Sequence, residues 1–328
     1  MVAKYTGKGF GVSVKFKKDK LAKRVSNRRG TARSTNKRVI NFKCDLECGG
    51  KCCIGNTQLL ASEFEKVIND VPIVPMIVAI PVSVLSSKIG EINPSYKKKI
   101  LEYAFVVNTS EDGDFAIFLD FIMGSTTSNI ACPYLKDGLC SIYDERPLRC
   151  KLYPIHPLLP EIMMELPLEK LRNTDCTAFL TPEKTEFSVW EDGKLSRKED
   201  RDDIDKYFIE ISKHKPFLDT LLRLEEGSLE KDGNIDFGVV RLIQRLVGEL
   251  AESKDTAFML SGEFPMPYLS TKILRTLLPE EVSSKFVDAQ YEAHKKFREY
   301  DPEGWESNNV MKRQMHFIEK QLKREGKL

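Results

Sequence analysis

Apolar positions along the chain change their spacing near residue 200. Beyond it they recur in steps of three and four: Ile204, Tyr207, Phe208 and Ile211, then Val239, Val240, Ile243, Leu246, Val247 and Leu250, then Met311, Met315, Ile318 and Leu322. Such steps put the residues on one helical face, so each stripe predicts an amphipathic helix packed on a core. The first stops near Pro216. Before residue 200 the runs are shorter and mixed. Leu59, Leu60, Phe64, Val67 and Ile68 within TQLLASEFEKVIND (57–70) fall at helical spacing, and Pro94 opens a second short helix, PSYKKKILEY (94–103). Two apolar runs around the acidic, glycine-containing EDGD predict a β-hairpin over residues 105–124, and FSVWEDGKLS (187–196) is hairpin-like as well. The longest apolar run, Val71 to Leu85, is broken by Pro72, Pro75 and Pro81. It falls short of the roughly 20 residues needed to cross a bilayer, so no membrane partner is expected.

This pattern predicts an α+β protein: a small cysteine-rich metal-binding domain with a β-hairpin and short helices, followed by an α-helical region. The expected divisions are a basic tail over 1–41, a cysteine-cluster domain over 42–198 and a helical region over 199–328. A chain of 328 residues has room for about two domains, each able to bury a core. The net charge of +2 conceals a lopsided distribution, because residues 1–43 hold 14 Lys and Arg against the single acid Asp19. The tail is poor in apolar residues, a composition that predicts disorder. Its plain reading is a solvated segment. The functional alternative is an electrostatic arm for nucleic acid, although it offers no aromatic stacking platform. The chain begins with no charged-then-apolar leader pattern, so a reducing, cytoplasmic setting is expected. There, clustered cysteines are more often metal ligands or redox groups than disulfide staples.

Eight cysteines then become the chief chemical signal. Four lie in FKCDLECGGKCCIG with the spacing C-x3-C-x3-C-C: Cys44, Cys48, Cys52 and Cys53. Gly49, Gly50 and Gly55 let this backbone fold back on itself so that thiolates can converge. Cys132, Cys140 and Cys150 follow in CPYLKDGLCSIYDERPLRCKLYPIHP, with Asp137-Gly138 as a turn, and Cys176 comes 26 positions later. Pro133 fixes the backbone beside Cys132, and Pro147 can open a helical turn that brings Cys150 near free backbone N–H groups. Arg146 is a candidate cofactor-binding residue through charge-assisted bonds to the sulfurs, with pairing to Asp144 or Glu145 as the alternative. Cys44, Cys48, Cys52, Cys53, Cys132, Cys140 and Cys150 are candidate ligands; Cys176 either closes the site or is a buried thiol. Of the histidines, His156 is the one near the cysteines, as an N-ligand or acid–base group, although a structural role is the plainer reading. His214, His294 and His316 fall on predicted helix surfaces and are expected to be bystanders.

The two blocks resemble the CxxCxxCC cysteine-cluster family of zinc- or iron-chelating domains. An aromatic residue precedes the first cysteine, G-x-C-C closes the first block, and C-P-aromatic-L followed by C-x-I-Y-x-x-R-P-x-x-C forms the second. The resemblance covers about residues 42–155, and each gap of the first block is one residue longer than the family name implies. It implies metal chelation by the paired cysteine blocks. Because the same family includes flagellin lysine methylases, it also implies, as an alternative, an S-adenosylmethionine-dependent methyltransferase acting on a protein substrate.

A thiolate-rich donor set suits zinc or an iron–sulfur cluster rather than magnesium or calcium. Spacing alone leaves zinc and iron open. The number of thiols exceeds what one structural zinc needs, which favours iron–sulfur, in the first instance [4Fe–4S]. The sequence lacks P-loop, dinucleotide-binding, metalloprotease and nucleophile-elbow motifs. Three readings remain: a metal- or cluster-binding protein with a redox or chelating role, the methyltransferase, and a metal-stabilised nucleic-acid-binding protein using its tail.

Overall fold

The computed structural model describes residues 38–44, 53, 57–82, 94–109, 113–124, 132–172, 177–180, 183–221, 239–252, 259–263 and 274–328. Residues 1–37, and with them nearly all of the basic tail and its nucleic-acid reading, lie outside the described residues.

The chain is a mixture of helix and strand in an α+β arrangement. In order, the elements are β1 (Val39–Asn41), β2 (Gln58–Leu59), α1 (Phe64–Val67), β3 (Ile73–Pro81), α2 (Pro94–Tyr103), β4 (Phe105–Thr109) and β5 (Gly113–Met123). They continue with β6 (Leu135–Lys136), β7 (Leu139–Cys140), α3 (Leu148–Leu152), α4 (Glu165–Arg172), β8 (Ser188–Glu191), β9 (Lys194–Leu195) and α5 (Lys198–Ser212). The last are α6 (Val239–Glu252), β10 (Leu260–Glu263), α7 (Glu280–Tyr300), α8 (Pro302–Ser307) and α9 (Asn309–Arg324).

The central sheet is antiparallel and built on β5. One edge of β5 pairs with the whole of β3, from Ile73 opposite Met123 to Pro81 opposite Phe115. The other edge carries β4 at its start and β2 at its end. Beyond β3 lies β10, pairing Met76 to Ala79. The proline-broken run is therefore an inner strand with every residue buried. Its two prolines are tolerated because Pro75 and Pro81 both lie outside the β10 pairing, where no N–H is needed on that side. TQLL, expected as the start of a helix, instead supplies β2: a short edge strand gains ladder partners at Phe121 and Ile122, and the helix is confined to one turn at Phe64–Val67.

Alternation along β3 and β5 separates two cores. Even-numbered residues, including Val74, Val78, Phe118 and Ile122, join one core with Trp190, Tyr207, Phe208, Met311 and Met315. Odd-numbered residues, including Ile73, Ile77, Ile117, Leu119 and Phe121, join a second with Phe64, Leu246, Phe286, Ile318 and Leu322. Helix α6 presses closely on β10 at Gly262, where an added Cβ would stand 2.7 Å from Leu242 Cδ1.

Long-range side-chain bonds fasten α7 and α9 to the first rung of β3. Gln290 accepts from Ile73 N at 2.7 Å and donates to Ile68 O and Val71 O, while Gln314 Nε2 donates to Ile73 O at 2.7 Å. Asn308 caps α9 by accepting from Met311 N at 3.0 Å.

Residues 38–41, which composition groups with the tail, are ordered as β1 and its approach. Asn41 is buried there because its carbonyl oxygen accepts from Ser188 Oγ (2.6 Å) and Thr185 Oγ1 (3.1 Å). β1 pairs with β8, and β8 turns into β9 through Asp192 and Gly193, both at positive φ.

His214 and His294, expected on helix surfaces, are buried instead, at 1% and 0% exposure. Each has a main-chain task that the helical pattern does not reveal. His214 follows α5, accepts from Ala61 N at 3.1 Å and bonds Leu119 O at 2.7 Å through Nδ1. Burial pushes its pKa down to about 4, and does the same for His294, which bonds Gln290 O and meets Trp305 edge-on. His316 is exposed.

Candidate metal centre

Cys53 and Cys140 lie within electrostatic reach of both Cys132 and Cys150, in the region where Thr57, beside the end of β5, accepts from Met123 N. Cys132 donates its backbone N–H to Cys53 O at 2.7 Å, which ties the second cysteine block to the first. Three residues on, β6 and β7 form a two-residue hairpin through Asp137 (φ 51°) and Gly138 (φ 80°), a turn whose twist suits Asp-Gly. The hairpin fixes Cys140 opposite Leu135. Tyr134, whose hydroxyl donates to Asp70 Oδ2 at 3.1 Å, holds this hairpin against the loop after α1.

Cys150 comes from α3. Pro147 caps that helix, and Leu148 N–H is taken up by Glu63 Oε1 at 2.7 Å, while Glu63 Oε2 accepts from Leu60 N. Glu63 thereby clamps α3 to the segment after β2, and burial raises its pKa. Cys150 Sγ donates to Thr57 Oγ1 at 3.6 Å.

Burial pushes the Cys132 thiol up to about 11 and the Cys150 thiol up to about 12. Cys53 and Cys140 add to both shifts, and Cys132 adds to that of Cys150, because negative charge on any one opposes it on its neighbours.

Cys44 is half-buried on a separate segment. It borders the even-face core, on a segment where Lys43 N donates to Ala178 O and Phe42 pairs with Phe179. That pairing draws the Cys44 strand towards the region after Cys176. Cys48, Cys52 and Cys176 themselves lie outside the described residues.

In kind and burial, Cys53, Cys132, Cys140 and Cys150 fit a thiophilic ion or cluster: soft donors, half-buried, drawn from three chain segments. In distance, no three His, Cys, Asp or Glu side chains among the described residues are gathered closely enough to hold an ion.

Arg146 stacks its guanidinium 4.1 Å above the Tyr143 ring. Arg149, the immediate neighbour of Cys150 and not singled out by the sequence, interacts electrostatically with it. Behind it, Asp120 stands on the even face of β5, fully buried, accepting from Phe121 N and from Tyr207 Oη, both at 2.9 Å. Burial raises the Asp120 pKa to about 6. His156 belongs to this neighbourhood as well. Its Nδ1 is buried with no hydrogen-bond partner among the described residues, and burial with the nearby Arg149 charge keeps the ring neutral.

Residues 43–178 match the CxxCxxCC family model, described as "Putative zinc- or iron-chelating domain". The match takes in all four thiols of this neighbourhood and supports a metal-binding role for the segment. No curated protein and no solved structure matches the chain. No helix among the described residues is long and apolar enough to cross a membrane.

Proposed function

We propose that the protein is a metal-binding protein in which Cys53, Cys132, Cys140 and Cys150, with Cys44, Cys48 and Cys52, and with Cys176 as a further candidate, hold an iron–sulfur cluster or zinc for a redox or chelating role. The observation that carries this reading is the main-chain bond from Cys132 N to Cys53 O, which joins the two cysteine blocks, with Cys53 and Cys140 near enough to act on the Cys132 and Cys150 thiols. The main-chain bond to Cys53 places Cys132, the Asp-Gly hairpin places Cys140, and the Glu63 clamp places Cys150. When bound, a cluster supplies electron transfer, and zinc supplies a fixed Lewis-acidic charge. More thiols than one zinc requires favour the cluster.

Anaerobic purification with iron, sulfide and zinc analysis and a visible spectrum tests the proposal. Matching iron and sulfide, lost in the double variant Cys132→Ala/Cys150→Ala, is the expected result. A wild-type chain with neither zinc nor iron in stoichiometric amount would overturn it.

A further inference from the structure

Arg38, where the described chain begins, is seated on an acidic surface. Its guanidinium pairs with Glu165 of α4, and its backbone N–H donates to Asp192 Oδ1 in the β8–β9 turn at 3.0 Å. Glu169 stands one helical turn beyond Glu165, on the same side of α4, and is exposed. Glu169 and Asp192 both lie within electrostatic reach of the guanidinium. At the other end of the same segment, Lys43 holds its Nζ 4.6 Å from the centre of the Phe187 ring, just before β8. Arg38 and Lys43, the described cations of the basic segment, are thus both bound on the side of the molecule formed by α4 and the β8–β9 hairpin.

The hairpin and its flanks carry more acid than base. Residues 183–203 hold eight carboxylates against five Lys and Arg. Of these acids, Glu183, Glu186, Asp192, Glu199 and Asp202 are exposed. Directly upstream of Arg38, residues 1–37 hold 12 Lys and Arg against the single acid Asp19. One exposed ion pair contributes at most about 1 kcal/mol. A segment covalently joined to its target, however, meets it at an effective concentration of about millimolar order, so several weak pairs act together.

We propose that residues 1–37 dock in cis on the acidic face of α4 and the β8–β9 hairpin, extending the seat that Arg38 takes between Glu165 and Asp192. Three observations select this occupant: opposite charge, direct continuity with the surface at Arg38, and the two cations of the same segment already bound there. The docked segment is occupied by its own chain, so a polyanion has to displace it. Salt opens the contact because its pairs face solvent. The inference is independent of the metal-binding reading.

The test is carbodiimide cross-linking of the full chain, which joins a lysine to a carboxylate it touches, read by mass spectrometry. It is run at about 10 mM and about 1 M salt, where the Debye length is about 30 Å and about 3 Å. The Lys327–Asp288 pair, 2.7 Å apart, serves as the internal standard. At low salt, Lys20 and Lys23 should link to Glu169 and Asp192 in preference to Glu65 and Glu280, which are exposed on helices of the odd-face core. Those links should fall about tenfold at high salt, which corresponds to ~1.4 kcal/mol. The triple variant Arg28→Gln/Arg29→Gln/Arg33→Gln removes charge upstream of β1 and leaves every lysine in place. It should weaken the same links about threefold at low salt, or ~0.65 kcal/mol. Links spread evenly over the four acids, or links unmoved by salt and by the triple variant, would overturn the proposal and leave a solvated tail. Links between light and heavy chains in an isotope-labelled mixture would place a second copy's tail on this face, and would overturn the assignment in cis.

Discussion

The two faces of β5 show how one strand serves two different purposes. Its odd face, with Phe115, Ile117, Leu119, Phe121 and Met123, is apolar throughout and packs against helices from the far end of the chain. Its even face interrupts Ala116, Phe118 and Ile122 with Asp120, which is 0% exposed. An ionisable group in the middle of an inner strand is costly, and here it supports Tyr207 and Arg149 behind the cysteine neighbourhood. One face supplies stability, and the other spends part of it to hold charge near the thiols.

The largest effect that separates the faces should come from Phe121→Ala. Phe121 is fully buried and meets Phe64 edge-on at 4.9 Å. Removing the ring should cost about 3–5 kcal/mol by chemical denaturation while metal content per folded chain stays unchanged. Loss of metal at constant folded fraction would show that the faces are not independent. Next, Gln290→Ala strips partners from Ile73 N, Ile68 O and Val71 O. A loss of about 3 kcal/mol is expected, because each buried group left unpaired costs about 1–3 kcal/mol before relaxation and water entry. A change below about 1 kcal/mol would mean that water replaces the glutamine without penalty.

The smallest effect is the most discriminating, because the faces should answer acid with opposite signs. On the odd face, His214 has a folded pKa of about 4, below its unfolded value of 6.5. The unfolded chain therefore binds the proton first, and wild type loses stability as pH falls through that window. On the even face, Asp120 is raised to about 6 from 3.8, so the folded chain binds the proton first and gains stability on acidification. The stability deficit of His214→Asn should accordingly narrow between pH 7 and pH 4.5, and that of Asp120→Asn should widen. Each should change by at most about 1.4 kcal/mol per pH unit. Parallel curves for the two variants would remove the contrast.

Helical periodicity made α5, α6 and α9 legible, since their stripes are amphipathic over three or more turns. The inner strand β3 was harder to read: both its faces are buried, so no alternation marks it, and its prolines point away from a strand assignment. TQLL became β2 because β5 offered it an edge, a tertiary choice that local spacing does not carry. In the candidate site, cysteine spacing and the Asp-Gly turn pointed to the chemistry. Arg149 stayed hidden because what distinguishes it is its burial among Tyr207 and Asp120, which arrive from other elements. His214 and His294 were misplaced for a related reason, as their partners are main-chain groups that no side-chain pattern records.

The glutamine bonds to Ile73 have a consequence for biosynthesis. Gln290 and Gln314 lie 217 and 241 positions downstream of the residue whose main chain they complete. During translation, the thiol-bearing half therefore leaves the ribosome before the side chains that finish the first rung of its central sheet have been made. A message cut short after the cysteine blocks would yield every proposed ligand on a sheet that is still open at that rung.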